Sequence, residues 1–221
     1  MYIMMRQPKR NPTPSVKNPE PSLLRQPKEH LSLYRALKLG YTRDANKQKH
    51  ALKLYGYMYD PELSNTERTV AYNPMKKQLL YVENGTGTLK DVGTDVALGT
   101  FGIKTTKRYT DDKNAYLKAR QKYDVAPENT VFAGHSLGGA LVSAIAPKGA
   151  QVYTHNAAIG LRDTRSDALN LRNKGDIFSA FAPSEKITTL ANPHPATPAR
   201  PVNAVLKAHE VANIKDVPVY F

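Results

Sequence analysis

The chain has 221 residues, 40% of them hydrophobic, which is enough for one domain with a buried core. It contains no cysteine, and this excludes disulfides, thiolate metal sites and a cysteine nucleophile. The formal net charge of +13 is concentrated towards the N-terminus, because residues 1–60 carry 12 Lys or Arg against 4 Asp or Glu.

Residues 1–28 form a basic, proline-rich segment. They contain six prolines and six Lys or Arg but few large apolar side chains. This composition predicts an extended tail, followed by a folded domain over residues 29–221. The charge suits an acidic protein surface, nucleic acid or anionic lipid. No apolar stretch is long enough for a signal-peptide core or a membrane span, so we expect an intracellular or particle-associated protein.

Apolar spacing and turn residues predict the elements of the first half. In chain order these are helices over 29–40 and 44–55, strands over 69–72 and 77–83, and a helix over 110–123. Four tyrosines lie in the strand region, where core packing is their expected role: Tyr57, Tyr59, Tyr72 and Tyr81. The apolar segment 96–103 is interpreted either as a shortened lid or as a cover for the sheet.

Residues 130–141 read T-V-F-A-G-H-S-L-G-G-A-L, the pattern of a strand, a sharp turn and a helix. This context predicts a nucleophile elbow with Ser136 at its apex, and the flanking glycines leave room where strand and helix meet. The N–H of Leu137, at the helix start, would face an oxyanion. A chance match of G-x-S-x-G is the alternative, and the flanking elements argue against it. Pro147 predicts a helix of about two turns.

A second informative stretch follows the strand over 77–83. The chain enters a Gly-Thr loop there, and Thr86 is its third residue after Glu83. Hydrolases with a nucleophile elbow place their other oxyanion donor in a loop of this kind. We therefore predict Thr86 as that donor, with a Gly-rich hairpin turn as the alternative.

The acid that would orient a catalytic base is sought downstream of Ser136, because the chain order of such sites is Ser, acid, His. Strands are predicted over 151–154 and 168–172, and Asp176 lies just beyond the second. Asp163 and Asp167 lie in a charged run typical of solvated surface. Asp176 is the preferred acid.

The base is a histidine with a neutral ring nitrogen that accepts the serine proton. His209, in an ordered-looking segment near the chain end, is the preferred candidate, and His194, in the stiff loop Asn-Pro-His-Pro, is the alternative. His155 precedes every candidate acid. His135, inside the elbow motif, is interpreted as a packing and orientation residue.

The string GHSLGGAL, together with Gly85-Thr86, Asn173-x-x-Asp176 and His209, resembles the class 3 lipase family. The resemblance covers about residues 56–214 and suggests a small, trimmed member. It implies an α/β-hydrolase-like fold, with a mostly parallel sheet flanked by helices. It also implies an enzyme that hydrolyses an acyl ester or lipid without a metal or organic cofactor. It also implies roles for five residues: Ser136 as nucleophile, Asp176 as acid, His209 as base, and Thr86 and Leu137 as oxyanion donors.

Three functions are compatible with the sequence. The preferred one is a serine ester hydrolase. The alternative is a structural or assembly protein of a large particle, such as a virion, that retains the fold and docks residues 1–28 on neighbouring proteins. Nucleic-acid binding through the tail is the least favoured, because charge alone supports it, without an aromatic platform or a recognised module.

Overall fold

The structure is a computed structural model that describes residues 30–85, 102–158, 165, 167–174, 176, 179, 188–190 and 209–221. The predicted tail over 1–28, the segment 96–101, Thr86 and His194 lie outside these residues. The docking role of the tail therefore stays a prediction.

Within the described residues, the fold is built on a seven-stranded sheet whose spatial order follows the chain. Its strands are β1 (Met58–Tyr59), β2 (Arg68–Asn73), β3 (Gln78–Glu83), β4 (Thr130–His135), β5 (Gln151–His155), β6 (Leu169–Asn173) and β7 (Thr188–Leu190). The first three are antiparallel, whereas β3 to β7 are parallel neighbours. The prediction of a mostly parallel α/β sheet flanked by helices is confirmed.

The helices of the described residues are α1 (Leu33–Gly40), α2 (Ala45–Lys53), α3 (Lys107–Tyr123) and α4 (Leu137–Ile145). Side chains cap three of them: Ser32, Asp44 and Thr106 each accept hydrogen bonds from first-turn N–H groups. Short 3-10 turns cover Ile103–Thr105, Pro127–Asn129 and Val211–Ile214.

Several sequence-based expectations about these elements differ from the structure; helix α1, for instance, begins at Leu33 and not at residue 29. Helix α3 begins three residues before the predicted start because Thr106 caps it, so its first turn holds no acidic residue. Asp112 instead lies inside the protein, where it pairs with Arg68. Strand β7 lies beyond Pro183, where the sequence predicts no strand, and pairs with β6. A segment of three residues is too short to show the alternation of apolar and polar side chains that predicts a strand. Its pairing with the neighbouring strand defines it as one.

Alternate residues of the central strands face opposite sides of the sheet. Tyr81 and Phe132 pack with apolar residues of α3 and α4 on one side. Leu80 and Val131 pack with α1 and the C-terminal residues on the other. Burial on both faces explains the continuous apolar runs of β3 and β4. The core role expected of the tyrosines is confirmed for Tyr81, which has no exposed surface.

Candidate active site

Ser136 stands alone between the end of β4 and the first residue of α4. Its backbone has φ 55° and ψ −127°, outside the three main regions that residues with a side chain favour. Four backbone hydrogen bonds hold it there: its N–H donates to His155 O at 3.1 Å, and its carbonyl accepts from Gly139 and Ala158 at 3.0 Å each and from Ala140 at 3.4 Å. These hydrogen bonds from the surrounding backbone therefore stabilise the strained turn.

The close approach of strand and helix explains two glycines of the motif. A Cβ at Gly134 would lie 2.6 Å from the carbonyl carbon of Gly138. A Cβ at Gly138 would lie 2.5 Å from the carbonyl carbon of Glu83 on β3. Both are shorter than any real Cβ contact, so the turn requires glycine at these two positions.

Asp176 and His209 form a buried hydrogen-bonded pair, with 2.7 Å between Asp176 Oδ1 and His209 Nδ1. Asp176 is 3% exposed and His209 is 6% exposed. The other carboxylate oxygen of Asp176 accepts from both the N–H and the hydroxyl of Ser179. These contacts orient the carboxylate towards the histidine.

His209 lies next to the elbow. Its backbone carbonyl accepts a hydrogen bond from His135 Nε2 at 2.7 Å, and the two imidazole centroids are 4.8 Å apart. His135 immediately precedes Ser136, so the backbone of His209 lies next to the elbow, and Asp176, which bonds the His209 ring, follows β6 at the carboxyl edge of the parallel strands, where α/β proteins hold their ligands.

Of the two predicted oxyanion donors, one lies among the described residues and the other does not. Leu137 is the first residue of α4, and a first-turn N–H has no acceptor within its own helix. Thr86 lies outside the described residues. Its neighbour Gly85 is described, and a Cβ there would lie 2.7 Å from Ser136 Cβ. The described end of this loop therefore contacts the serine.

Two residues bond to the groups of the site although the sequence analysis did not predict a role for them. Ser179 follows Asp176 by three residues, a spacing at which an Asp side chain commonly accepts from a backbone N–H, so the signal was readable. Tyr41, just after α1, bonds His135 across 94 residues of chain, at 2.6 Å between Tyr41 Oη and His135 Nδ1. No local pattern announces such a contact.

Two further histidines next to the site are neutral at physiological pH. Burial lowers the pKa of His155 to about 3, and Asn173 donates to its Nε2 at 3.1 Å. Burial, followed by the charge of His209, also lowers the pKa of His135 well below its usual range. His135 therefore orients its neighbours through hydrogen bonds, in agreement with the role expected from the sequence.

A buried charge cluster, which we define as Arg68, Glu83, Arg108 and Asp112, lies behind the site. Arg108 Nη2 lies 3.1 Å from Glu83 Oε2 and donates to the carbonyl of Asn84 at 2.7 Å. Burial first, and then the charge of Asp112, raises the pKa of Glu83 to about 8. The cluster ties the start of α3 to the end of β3, where the chain enters the Gly85 loop.

The described residues hold no group of three or more His, Cys, Asp or Glu side chains arranged to bind a metal ion. Nor do their helices include one long and apolar enough to cross a membrane.

Comparison with known proteins gives matches at the level of structure. No protein-family model matches the chain, and no curated protein matches it. The extracellular lipase LipA from Serratia marcescens superposes with a TM-score of 0.51 at 13% identity, over 77% of this chain and 40% of that chain. The fold is lipase-like.

Two other solved structures resemble the chain less well. Lip2 lipase from Yarrowia lipolytica has a TM-score of 0.43 at 17% identity, over 67% of this chain and 72% of that chain. A fungal lipase in complex with an inhibitor has a TM-score of 0.41 at 15% identity, over 78% of this chain and 73% of that chain.

Proposed function

We propose that the protein is a serine hydrolase of carboxylic esters. Ser136 is the nucleophile, His209 the general base, and Asp176 the acid that orients the base. The observation that carries the proposal is the strained turn at Ser136 beside the hydrogen-bonded Asp176 and His209 pair. The class of substrate, an acyl ester or lipid, is supported by this chemistry and by the likeness to a protein named a lipase.

The proposed reaction has two steps. Ser136 Oγ attacks the ester carbonyl carbon while His209 Nε2 takes the hydroxyl proton, and the negative oxygen is stabilised by the Leu137 N–H and by Thr86. The carbon–oxygen bond to the alcohol then breaks, and the alcohol takes the proton from His209. Water next attacks the acyl-Ser136 ester with the same proton transfers, which releases the acid and restores Ser136.

The first prediction concerns Ser136. A fluorophosphonate probe should label the wild-type protein, which should also hydrolyse p-nitrophenyl acetate. Ser136→Ala should abolish labelling and lower kcat by up to about a millionfold, the loss seen in proficient serine hydrolases. Ser143→Ala is the matched control, because Ser143 is a buried serine of α4 whose hydroxyl donates to Gly139 O. Wild-type protein that resists the probe under conditions that label a known esterase would overturn the proposal.

The choice of base is tested in the same assay. His209→Ala should abolish hydrolysis because the proton acceptor is removed, whereas His194→Ala should leave it unchanged. The opposite result would move the base to the alternative position in the Asn-Pro-His-Pro loop.

A further inference from the structure

Tyr41 joins two parts of the site that are distant in sequence. Its hydroxyl accepts a hydrogen bond from the N–H of Gly85 at 2.8 Å and lies 2.6 Å from His135 Nδ1. The other ring nitrogen of His135 lies 2.7 Å from the carbonyl oxygen of His209. A continuous series of three hydrogen bonds therefore runs from the loop of Gly85 to the backbone of His209.

The protons in this series can be assigned from chemistry alone. The His209 carbonyl can only accept, so His135 Nε2 carries a hydrogen. In a neutral ring Nδ1 is then an acceptor, and the Tyr41 hydroxyl donates to it while its oxygen accepts from Gly85. Burial supports this assignment, since it raises the pKa of Tyr41 to about 12 and keeps His135 neutral by lowering its pKa. One tautomer of His135 satisfies every partner.

Both ends of the series meet the proposed chemistry. At one end, Gly85 contacts Ser136 and precedes Thr86, the proposed oxyanion donor. At the other end is His209, the proposed base. An apolar ring at position 135 would fill the same volume but would leave the Tyr41 hydroxyl and the His209 carbonyl without their hydrogen bonds, which is costly in a buried site.

We propose that Tyr41 and His135 form a positioning relay that holds the base His209 and the Gly85 loop in register with Ser136. This inference rests on the hydrolase proposed above and deepens it, because it gives Tyr41, the residue that follows α1, a role in positioning the catalytic groups. Neither residue touches the substrate; both act through the groups that do.

The test compares Tyr41→Phe with Tyr57→Phe, a matched control that removes a buried tyrosine hydroxyl bonded to Gln78 away from the site. Tyr41→Phe should lower kcat and the rate constant of fluorophosphonate labelling by on the order of tenfold or more, because the reacting groups would be misplaced. KM should stay nearly unchanged, because the groups that bind the substrate are not altered. Tyr57→Phe should leave both unchanged. Equal labelling rates for wild type and Tyr41→Phe would overturn the relay.

A second measurement does not depend on activity. In long-range ¹H–¹⁵N spectra of the ¹⁵N-labelled protein, His135 should show a protonated Nε2 and an unprotonated Nδ1, and the Nδ1 shift should change in Tyr41→Phe. A wild-type ring protonated at Nδ1, or an Nδ1 shift insensitive to Tyr41→Phe, would overturn the relay even if the protein is an active hydrolase. The expected spectra without any labelling would instead overturn the hydrolase, and with it the catalytic purpose of the relay.

Discussion

At the scale of single residues, the site depends on side chains whose partners are held in turn by others. Asp176 holds His209, and Ser179 holds Asp176 through its N–H and its hydroxyl. A hydrogen bond to a charged carboxylate is stronger than one between neutral groups, and it limits the rotation of the carboxylate. The orientation of the proposed base therefore depends on a serine that has no direct part in the reaction.

Removing the Ser179 hydroxyl should weaken this support. We expect Ser179→Ala to lower kcat by about tenfold, which corresponds to about 1.4 kcal/mol, because one charge-assisted hydrogen bond to Asp176 is lost. KM should change little, and Ser179→Thr, which keeps a hydroxyl, should restore most of the rate. Steady-state kinetics on p-nitrophenyl acetate measure the effect.

Ser64→Ala is the control for this prediction. It removes a hydroxyl that bonds the backbone of Val70, away from Asp176, and should leave kcat unchanged. If Ser179→Ala hydrolyses the ester as fast as the wild type does, Asp176 is oriented without its help.

At the scale of elements, the site is a junction between β3, β4 and α4. The helix packs directly against the backbone of β3, and Gly138 is the point of closest approach. A side chain at this point would push the helix, and the Leu137 N–H with it, away from Ser136 and the Gly85 loop. The glycine is therefore needed for packing of the helix, whatever the chemistry of the site.

Gly138→Ala should both destabilise the protein and stop labelling of Ser136 by fluorophosphonate. The added methyl group meets backbone atoms of Glu83 and Asn84, which cannot rotate aside, so we expect a loss of about 1–3 kcal/mol in the free energy of unfolding. Urea unfolding and probe labelling give the two readings.

Gly149→Ala provides the comparison. Its φ of 90° makes alanine unfavourable by about 1–2 kcal/mol, but its Cβ would meet no atom within 4 Å. This variant should lose stability and keep its labelling rate. Normal labelling of Gly138→Ala would show that the approach of α4 to β3 does not control the site.

At the scale of the whole molecule, buried ionisable groups should set the pH dependence of stability. The pKa of His155 is lowered in the folded state, so its contribution to stability is present above its unfolded pKa and is lost as pH falls towards about 3. The pKa of Glu83 is raised to about 8, so its contribution is present at low pH and is lost as pH rises through 8. Stability should therefore be highest between the unfolded pKa of Glu83, 4.5, and that of His155, 6.5, where the two slopes offset each other, and should decline on either side of that range.

The alkaline side gives the clearest test. Between pH 6.5 and 8, the free energy of unfolding should fall by up to about 1.4 kcal/mol per pH unit, because folded Glu83 keeps a proton that the unfolded chain has released. Glu83→Gln should remove this slope, as measured by urea unfolding at several pH values. Glu128→Gln, at an exposed position, should retain it. A slope that persists in Glu83→Gln would show that another group titrates there.

Much of the fold and part of the site follow from local sequence. The strand, turn and helix around Ser136 could be predicted because glycine spacing and apolar runs act over a few residues, and this stretch has the predicted form. The hairpin of β2 and β3 could be predicted for the same reason, whereas the mostly parallel sheet was implied by the resemblance of the motifs to a lipase family. Strands as short as β1 and β7 could not, since pairing with a neighbour defines them.

The elbow and the chain order of the candidate residues could be inferred from the sequence, because short-range backbone preferences encode the turn, and the resemblance of the motifs implied the α/β class. The contacts of Asp176 with His209 across 33 residues of chain, and of Tyr41 with His135 across 94, appear only in the folded chain. Such contacts depend on how the sheet and helices pack. The residues next to a hydrogen-bonding side chain in the sequence do not indicate which distant residue it will contact. The residues that orient the proposed catalytic groups therefore became visible only in the fold.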